Sequence, residues 1–171
     1  MIVRRETPAD VEAARAVQVA AFRRPELTDE PIEARLLDDL RKCDGWIPEL
    51  SIVVERDGEV IGHAVTTRGF VGEVPVVALG PIGVLPAHQR GGVGHALVHA
   101  TLGAADAMGE PLLALLGSPL YYGRYGFVAS HHFGIVPPNP AWGDAFQVRT
   151  LATHRADITG EFRYAGPFDT M

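Results

Sequence analysis

The chain has 171 residues, 47% of them hydrophobic and 21% charged, and its formal net charge is −6 at pH 7. This length and composition are typical of a water-soluble protein with one domain, so we predict a single domain over residues 1–171. The acidic balance argues against a nucleic-acid-binding protein, and no apolar run is long enough for a membrane span.

The cysteine content and the first residues of the chain indicate the cellular compartment. Cys43 is the only cysteine, which excludes an internal disulfide and a zinc site built on paired cysteines. The opening stretch MIVRRETPAD turns polar at once and contains no secretory signal. We therefore predict a cytoplasmic protein with no membrane partner.

The first elements are one strand and two helices. A short strand is predicted over 2–6. Thr7 is a suitable N-cap for the following helix, with Pro8 at its first position. Aliphatic residues recur on one side of the segment 31–42, which predicts a second helix.

An antiparallel meander follows. Strands are predicted over 50–56 and 59–70, because Asp57-Gly58 between them is a two-residue hairpin signal. A buried strand over 74–84 is interrupted by Gly80-Pro81. This dipeptide predicts a bulge or bend, since proline cannot donate to a strand ladder.

After this strand, helical spacing continues to Met108, Gly109 ends the helix, and 111–117 is predicted to be a short core strand. The rest of the chain is rich in glycine and proline, with short apolar pieces. The order of elements predicts an α/β sheet protein whose first half contains an antiparallel meander.

Three glycines, Gly91, Gly92 and Gly94, separate the strand that ends at Val84 from the following helix. The first N–H groups of a helix have no partner within the helix, and with the helix dipole they favour an anion such as phosphate. The spacing G-G-x-G matches neither the dinucleotide fingerprint nor the nucleotide P-loop. The glycines alone therefore leave open a tight turn that binds nothing.

The surrounding residues are more specific. The segment IGVLPAHQRGGVGHAL resembles the acyl-CoA-binding signature of the GNAT superfamily of N-acyltransferases, V-x-P-x-x-Q/R-x-x-G-x-G/A between a strand and a helix. Five positions match in place: Val84, Pro86, Gln89, Gly92 and Gly94. Downstream, YYGRYGF at 121–127 is similar to the family's Y-x-x-x-G-F ending. The two motifs in this order resemble the YhbS-like branch of the family.

The resemblance implies an α/β protein with the GNAT fold, a mixed and mostly antiparallel sheet that is flanked by helices and splayed at the acyl-CoA slot. It implies acetyl-CoA as the co-substrate. Backbone N–H groups would hold its pyrophosphate, and a strand would pair with its pantetheine arm. The implied cofactor-binding residues are Ile82, Gly83, Val84, Gln89, Arg90, Gly91, Gly92, Val93, Gly94 and His95.

The resemblance also implies a catalytic residue. Tyr122 stands four residues before the glycine of Gly126-Phe127, where the family commonly has a tyrosine that protonates the leaving thiolate. A phenol has a pKa of about 10 and carries its proton at neutral pH. Simple packing is the alternative for Tyr122, and packing is the interpretation that we favour for Tyr121 and Tyr125.

Two positions depart from the family pattern. Leu115 stands where many members have asparagine, and the strand 74–84 lacks the glutamate that many members carry. The general base is therefore not assigned by the resemblance. His63 and Glu73 are candidates that would act through water, and loss of the amine proton to solvent is the alternative.

We interpret the chain as an acetyl-CoA-dependent N-acetyltransferase that moves an acetyl group to a primary amine, on a small molecule or a peptide, by direct attack. The alternative is a non-catalytic acyl-CoA-binding or sensor module on the same fold. His95 and His99 are four residues apart on one helix but lack the His-Glu-x-x-His pattern, so we predict no metal. The resemblance further implies a homodimer.

Overall fold

The computed structural model describes all 171 residues, and the elements of its first part are β1 (Ile2–Arg5), α1 (Val11–Phe22), α2 (Ile32–Leu40), β2 (Trp46–Arg56), β3 (Glu59–Val71) and β4 (Val74–Val84). The elements of its second part are α3 (Val93–Ala107), β5 (Leu112–Leu116), α4 (Pro119–Tyr122), β6 (Val128–Ala129), β7 (Ile135–Val136), β8 (Phe146–Thr150) and β9 (Gly160–Arg163). None of the helices combines the length and apolarity that crossing a bilayer requires.

The strands form a mixed sheet in the order β1-β2-β3-β4-β5-β8-β6. Every neighbouring pair along this order is antiparallel except β4 and β5, which are parallel. Strand β9 pairs with the end of β3 and with β7. This arrangement confirms the predicted mixed, mostly antiparallel sheet with flanking helices.

The sheet is open on one side of β4. Strand β4 pairs with β5 only at Val77 and Ala78, although β4 continues as far as Val84. Opposite β3, the register shifts between Leu79 and Ile82, which is a β-bulge at Gly80-Pro81. The predicted bend is therefore confirmed, and it leaves the second half of β4 without a neighbouring strand on the β5 side.

Helices cover both faces of the sheet. A Cβ at Gly62 of β3 would overlap the side chain of Val93 in α3, while the next residue, His63, contacts Gln18 of α1. Successive strand residues point to opposite faces, so α3 lies on one face and α1 on the other. Helix α2 lies beside α1. Its residues Leu36, Leu37 and Leu40 pack against Val65 of β3.

The start of the first helix differs from the prediction, because residues Pro8–Asp10 form a 3₁₀ turn before α1. The Asp10 carboxylate accepts hydrogen bonds from the N–H and the hydroxyl of Thr7, both at 2.7 Å, and two more from Arg4. These bonds tie the first turn back to β1.

Strand β2 also begins earlier than predicted, at Trp46. Its pairing with β3 is irregular between Trp46 and Ser51. Pro48 lies in this irregular stretch, where its missing N–H interrupts no regular ladder, and for the same reason the sequence pattern did not indicate a strand there.

Candidate active site

The turn between β4 and α3 presents a row of free hydrogen-bond donors. The N–H groups of the six residues from Arg90 to His95 donate to no backbone acceptor, and the first helical bond runs from Ala96 N to Gly92 O at 2.9 Å. Gly92 has a φ of +85°, in the left-handed region that glycine adopts without strain. These donors lie at the positive end of the α3 dipole, an arrangement that suits an anion.

A groove of about 510 Å³ runs from this turn along β4, and we call it the β4 groove. Eight of the ten predicted cofactor-binding residues line it: Ile82, Gly83, Val84, Gln89, Arg90, Gly92, Gly94 and His95. The other two do not. Gly91 is exposed on the turn, and the side chain of Val93 is buried in the core at 1% exposure.

The charged side chains of the β4 groove are basic. Arg90 and Arg124 line it, and no carboxylate does. Sequence reasoning missed Arg124, which follows the tyrosines in YYGRYGF. Its Nε donates to the Tyr121 carbonyl oxygen at 3.0 Å, and its guanidinium carbon lies 4.9 Å from the centre of the Tyr121 ring. The groove is therefore electropositive on a chain whose net charge is −6.

A second cavity of about 740 Å³ opens where β4 and β5 separate, and we call it the slot cavity. Residues 79–82 of β4 and 115–117 at the end of β5 form part of its wall, together with Tyr122. Phe22 and Ile82 line both this cavity and the β4 groove. The two spaces therefore meet at the bulge of β4.

The three neighbouring tyrosines lie in different walls. Tyr122 lines the slot cavity, whereas Tyr121 and Tyr125 line the β4 groove. Burial, and to a smaller extent Tyr121, raises the pKa of Tyr122 to about 12, so its hydroxyl is protonated at neutral pH. A Cβ at Gly117 would overlap the Tyr122 ring, so the glycine lets this ring lie against the end of β5.

The two residues considered as bases lie outside both cavities. His63 is fully buried; its Nδ1 lies 2.9 Å from Gln18 Nε2 and its Nε2 lies 3.0 Å from Ser51 Oγ. Burial lowers the pKa of His63, so the imidazole is neutral at pH 7. Glu73 belongs to the turn between β3 and β4 and lines neither space.

The acids that do line the slot cavity were not found from the sequence. Glu33 comes from the first turn of α2, and Asp169 comes from the 3₁₀ turn Gly166–Thr170 near the end of the chain. No local pattern marks either residue, because each reaches the cavity only through the packing of its element.

His95 and His99, four residues apart on α3, take part in aromatic contacts. Their ring centres are 4.3 Å apart, and both rings lie beside Tyr125. No group of three or more histidine, cysteine, aspartate or glutamate side chains is arranged to hold a metal ion.

Known proteins are similar to this chain in sequence and architecture. The sequence profile of the acetyltransferase (GNAT) family matches residues 13–127. Over 172 aligned residues the chain is 28% identical to the N-acetyltransferase YhbS of Escherichia coli strain K12, with 99% of both chains covered.

Two crystal structures are similar over nearly the whole chain. E. coli YhbS in complex with CoA matches with a TM-score of 0.88 at 27% identity, over 98% of this chain and 91% of that one. A GNAT family acetyltransferase from Brucella melitensis in complex with acetyl-CoA matches with a TM-score of 0.79 at 31% identity, over 98% of this chain and 97% of that one.

Proposed function

This chain belongs to the acetyltransferase (GNAT) family, and from that premise we propose that it transfers the acetyl group of acetyl-CoA to a primary amine by direct attack. One observation carries the proposal. A basic groove with a row of free N–H donors meets, at the bulge of β4, a cavity that contains Tyr122 and two carboxylates. The first space suits the anionic co-substrate, and the second suits a cationic acceptor.

The β4 groove supplies two kinds of contact for acetyl-CoA. The N–H groups from Arg90 to His95 would hold the pyrophosphate, and the guanidinium groups of Arg90 and Arg124 would add charge to its oxygens. The unpaired edge of β4 from Leu79 to Val84 offers backbone groups that an extended chain with amide bonds, such as pantetheine, can pair with.

Glu33 and Asp169 attract the acceptor as an ammonium ion. This ion must first lose one proton to water, because only the lone pair of the neutral amine can attack the thioester carbonyl carbon. The C–S bond then breaks, the nitrogen loses a proton, and the sulfur gains one.

Tyr122 and Tyr164 both line the slot cavity and both are protonated at pH 7. We assign the Tyr122 hydroxyl to the leaving sulfur, because the Tyr122 ring lies against the end of β5 where β4 and β5 separate. Tyr164 instead packs among Trp142, Phe162 and Phe168.

The acidity of Tyr122 determines how it acts. Its pKa of about 12 lies above the value of about 8.5 for an ordinary thiol, so full transfer of the proton to a hydrated thiolate would be uphill by roughly 5 kcal/mol. A strong hydrogen bond from the Tyr122 hydroxyl to the developing thiolate does not require this full proton transfer. The apolar surroundings also destabilise a free thiolate, which reduces the cost of protonating it there. The proton lost by the amine balances the one that the thiol finally holds.

The amine proton leaves through water in this proposal. Strand β4 carries neither a carboxylate nor a histidine, so no side chain of that strand can act as the base. Glu33 and Asp169 are the carboxylate side chains of the slot wall, and they are the available acceptors for a proton relayed by water.

Two measurements test the proposal. Acetyl-CoA at about 100 times its dissociation constant should raise the free energy of unfolding by roughly 2.7 kcal/mol, and a panel of primary amines should include one that releases free thiol faster than an amine-free control. An unchanged melting temperature together with the absence of calorimetric heat would exclude acetyl-CoA as the co-substrate. Binding without thiol release from any amine would identify an acyl-CoA-binding or sensor module instead.

A further inference from the structure

We infer that the acceptor is a primary amine on an apolar, aromatic body that carries no carboxylate group. This inference rests on the proposed function and names the substrate class of the slot cavity. Three observations support it: the sign of the charges in the wall, the aromatic surface of the wall, and the few polar groups available inside.

The charges of the slot cavity favour a cation. Glu33 and Asp169 line it, and Arg163 is the only basic residue that does. The Arg163 guanidinium is engaged elsewhere, because its Nη2 donates to the Gly72 carbonyl oxygen at 3.0 Å and the group lies 5.3 Å from the centre of the Phe70 ring. The two carboxylates outnumber the one guanidinium, which is held against Gly72 and Phe70, so the wall favours an ammonium group over a carboxylate.

The two carboxylates belong to elements that pack together. Glu33 lies at the start of α2, and Phe168, the neighbour of Asp169, packs against the buried leucines of the same helix. The acidic side chains therefore come from one joint wall, formed by α2 and the final turn. In the β4 groove the charges are reversed, so each space has the sign that complements its proposed ligand.

Aromatic rings form much of the remaining wall. The ring of Tyr164 lies 4.8 Å from that of Phe162, 4.5 Å from that of Phe168 and 6.3 Å from that of Trp142, measured between centres. Burial raises the pKa of the Tyr164 phenol, as an apolar setting does. Such a cluster binds a flat apolar body through edge and face contacts.

Acceptor substrates with many polar groups fit the slot cavity poorly. Besides the charged residues, the side chains in its wall that can form hydrogen bonds are Tyr122, Trp142 and Tyr164. The hydroxyl groups of an aminoglycoside would be buried with few partners, which weakens binding. A volume of about 740 Å³ is ample for an arylalkylamine.

Matched amines test the inference directly. We expect kcat/KM for phenethylamine to exceed that for phenylalanine, which adds only a carboxylate, by at least tenfold. We expect a similar margin over ethanolamine and spermidine, which lack the apolar body. Calorimetric titration of each amine into the CoA complex should rank their affinities in the same order as kcat/KM, with phenethylamine binding most tightly. This measurement does not require turnover.

Variants of the wall residues test whether the preference for phenethylamine arises in the slot cavity. Trp142→Ala should lower kcat/KM for phenethylamine at least tenfold more than it lowers kcat/KM for ethylamine. Glu33→Gln with Asp169→Asn should narrow the preference for phenethylamine over phenylalanine by at least fivefold. The control is Asp57→Asn with Glu59→Gln, which makes the same charge change on the exposed β2–β3 turn and should alter neither ratio.

The outcomes separate this inference from the proposed function. Efficient acetylation of phenylalanine, ethanolamine, spermidine or an aminoglycoside, at or above the rate for phenethylamine, would overturn the substrate class and leave the transferase proposal intact. Failure of acetyl-CoA to bind would overturn the proposed function itself. Binding of phenethylamine that depends on Trp142, without acetyl transfer, would support the ligand class and refute transfer.

Discussion

At the scale of single residues, three tyrosines within five positions differ in what they face. Successive residues of a helical turn point about 100° apart, and Tyr121 and Tyr122 of α4 accordingly line different spaces. Tyr121 lies over the first turn of α3, with its Oη 3.0 Å from the position of a Cβ at Gly94. Tyr122 instead faces the slot cavity with residues 79–82 of β4.

Replacing Tyr122 with phenylalanine removes one hydroxyl and retains the ring. We expect kcat to fall by about 10²-fold, the lower end of what one positioned hydrogen-bond donor to a developing charge contributes. The dissociation constant of acetyl-CoA should change by less than about twofold, because the proposed contacts to acetyl-CoA lie in the β4 groove. Steady-state thiol release and calorimetric binding measure the two quantities separately.

The comparison variant is Tyr121→Phe. Since Tyr121 lines the β4 groove, loss of its hydroxyl should weaken acetyl-CoA binding more than it lowers kcat. The opposite pattern, an unchanged kcat in Tyr122→Phe and a large loss in Tyr121→Phe, would transfer the assigned role from one tyrosine to the other.

At the scale of elements, the junction of β4 and α3 carries the proposed contacts to acetyl-CoA. The bulge at Gly80-Pro81 turns β4 away from β5, and the glycine turn directs free N–H groups into the same groove. Helix α3 contains Gly94 in that groove and Gly103 on its exposed side, where a Cβ would meet nothing within 4 Å. The same substitution can therefore be made on α3 at one position inside the β4 groove and at one position outside it.

Gly94→Val should weaken acetyl-CoA binding by at least tenfold, because the side chain would stand where the ligand approaches the backbone and would press on Tyr121. Arg90→Ala should have a smaller effect, since backbone groups supply most of the donors. Gly103→Val should leave the dissociation constant unchanged. Calorimetry gives the affinities, and thermal unfolding shows whether both valine variants remain folded.

Equal affinity in the wild type and Gly94→Val would mean that the turn is only structural. A loss of affinity in Gly103→Val as large as that in Gly94→Val would mean that the effect arises from the helix as a whole.

At the scale of the whole molecule, a buried polar cluster joins the start of the chain to the meander and the first two helices. Its members are Glu6, Gln18, Arg41, Ser51 and His63. Burial alone would raise the pKa of Glu6, but the hydrogen bonds from His63, Ser51 and Arg41 outweigh it and lower this pKa to about 2. This cluster gives His63 a structural setting, away from the slot cavity.

Acidification should therefore destabilise the fold in two stages. The pKa of His63 is lowered on folding, so stability falls once the unfolded chain begins to bind a proton, below about pH 6.5. The pKa of Glu6 falls from 4.5 to about 2, so its contribution is complete above about pH 5 and is lost as the pH drops towards 2. Denaturant unfolding at pH 7, 5, 4 and 3 measures both stages.

The variant Glu6→Gln isolates the second stage. It should reduce the free energy of unfolding at pH 7 by up to about 3 kcal/mol and flatten its dependence on pH below 5. Glu59→Gln, at the exposed start of β3, should leave the curve within about 0.5 kcal/mol of the wild type. Parallel curves for the wild type and Glu6→Gln below pH 5 would contradict the assignment.

The sequence by itself determined the features that depend on neighbouring residues. The hairpin at Asp57-Gly58, the bend at Gly80-Pro81 and the glycine turn before α3 follow from local backbone preferences, so their residues predicted the strand–turn–helix junction and the groove beside it. The two motifs around that junction also indicated the family.

Only the tertiary structure decided which side chains share the slot cavity. Glu33 and Asp169 come from opposite ends of the chain and meet because α2 and the final turn pack together. His63 reads in the sequence as a polar residue of a strand, yet the packing of α1 on that face buries it in a polar cluster. Contacts between distant segments depend on how whole elements pack, and no short-range pattern of residues records that arrangement.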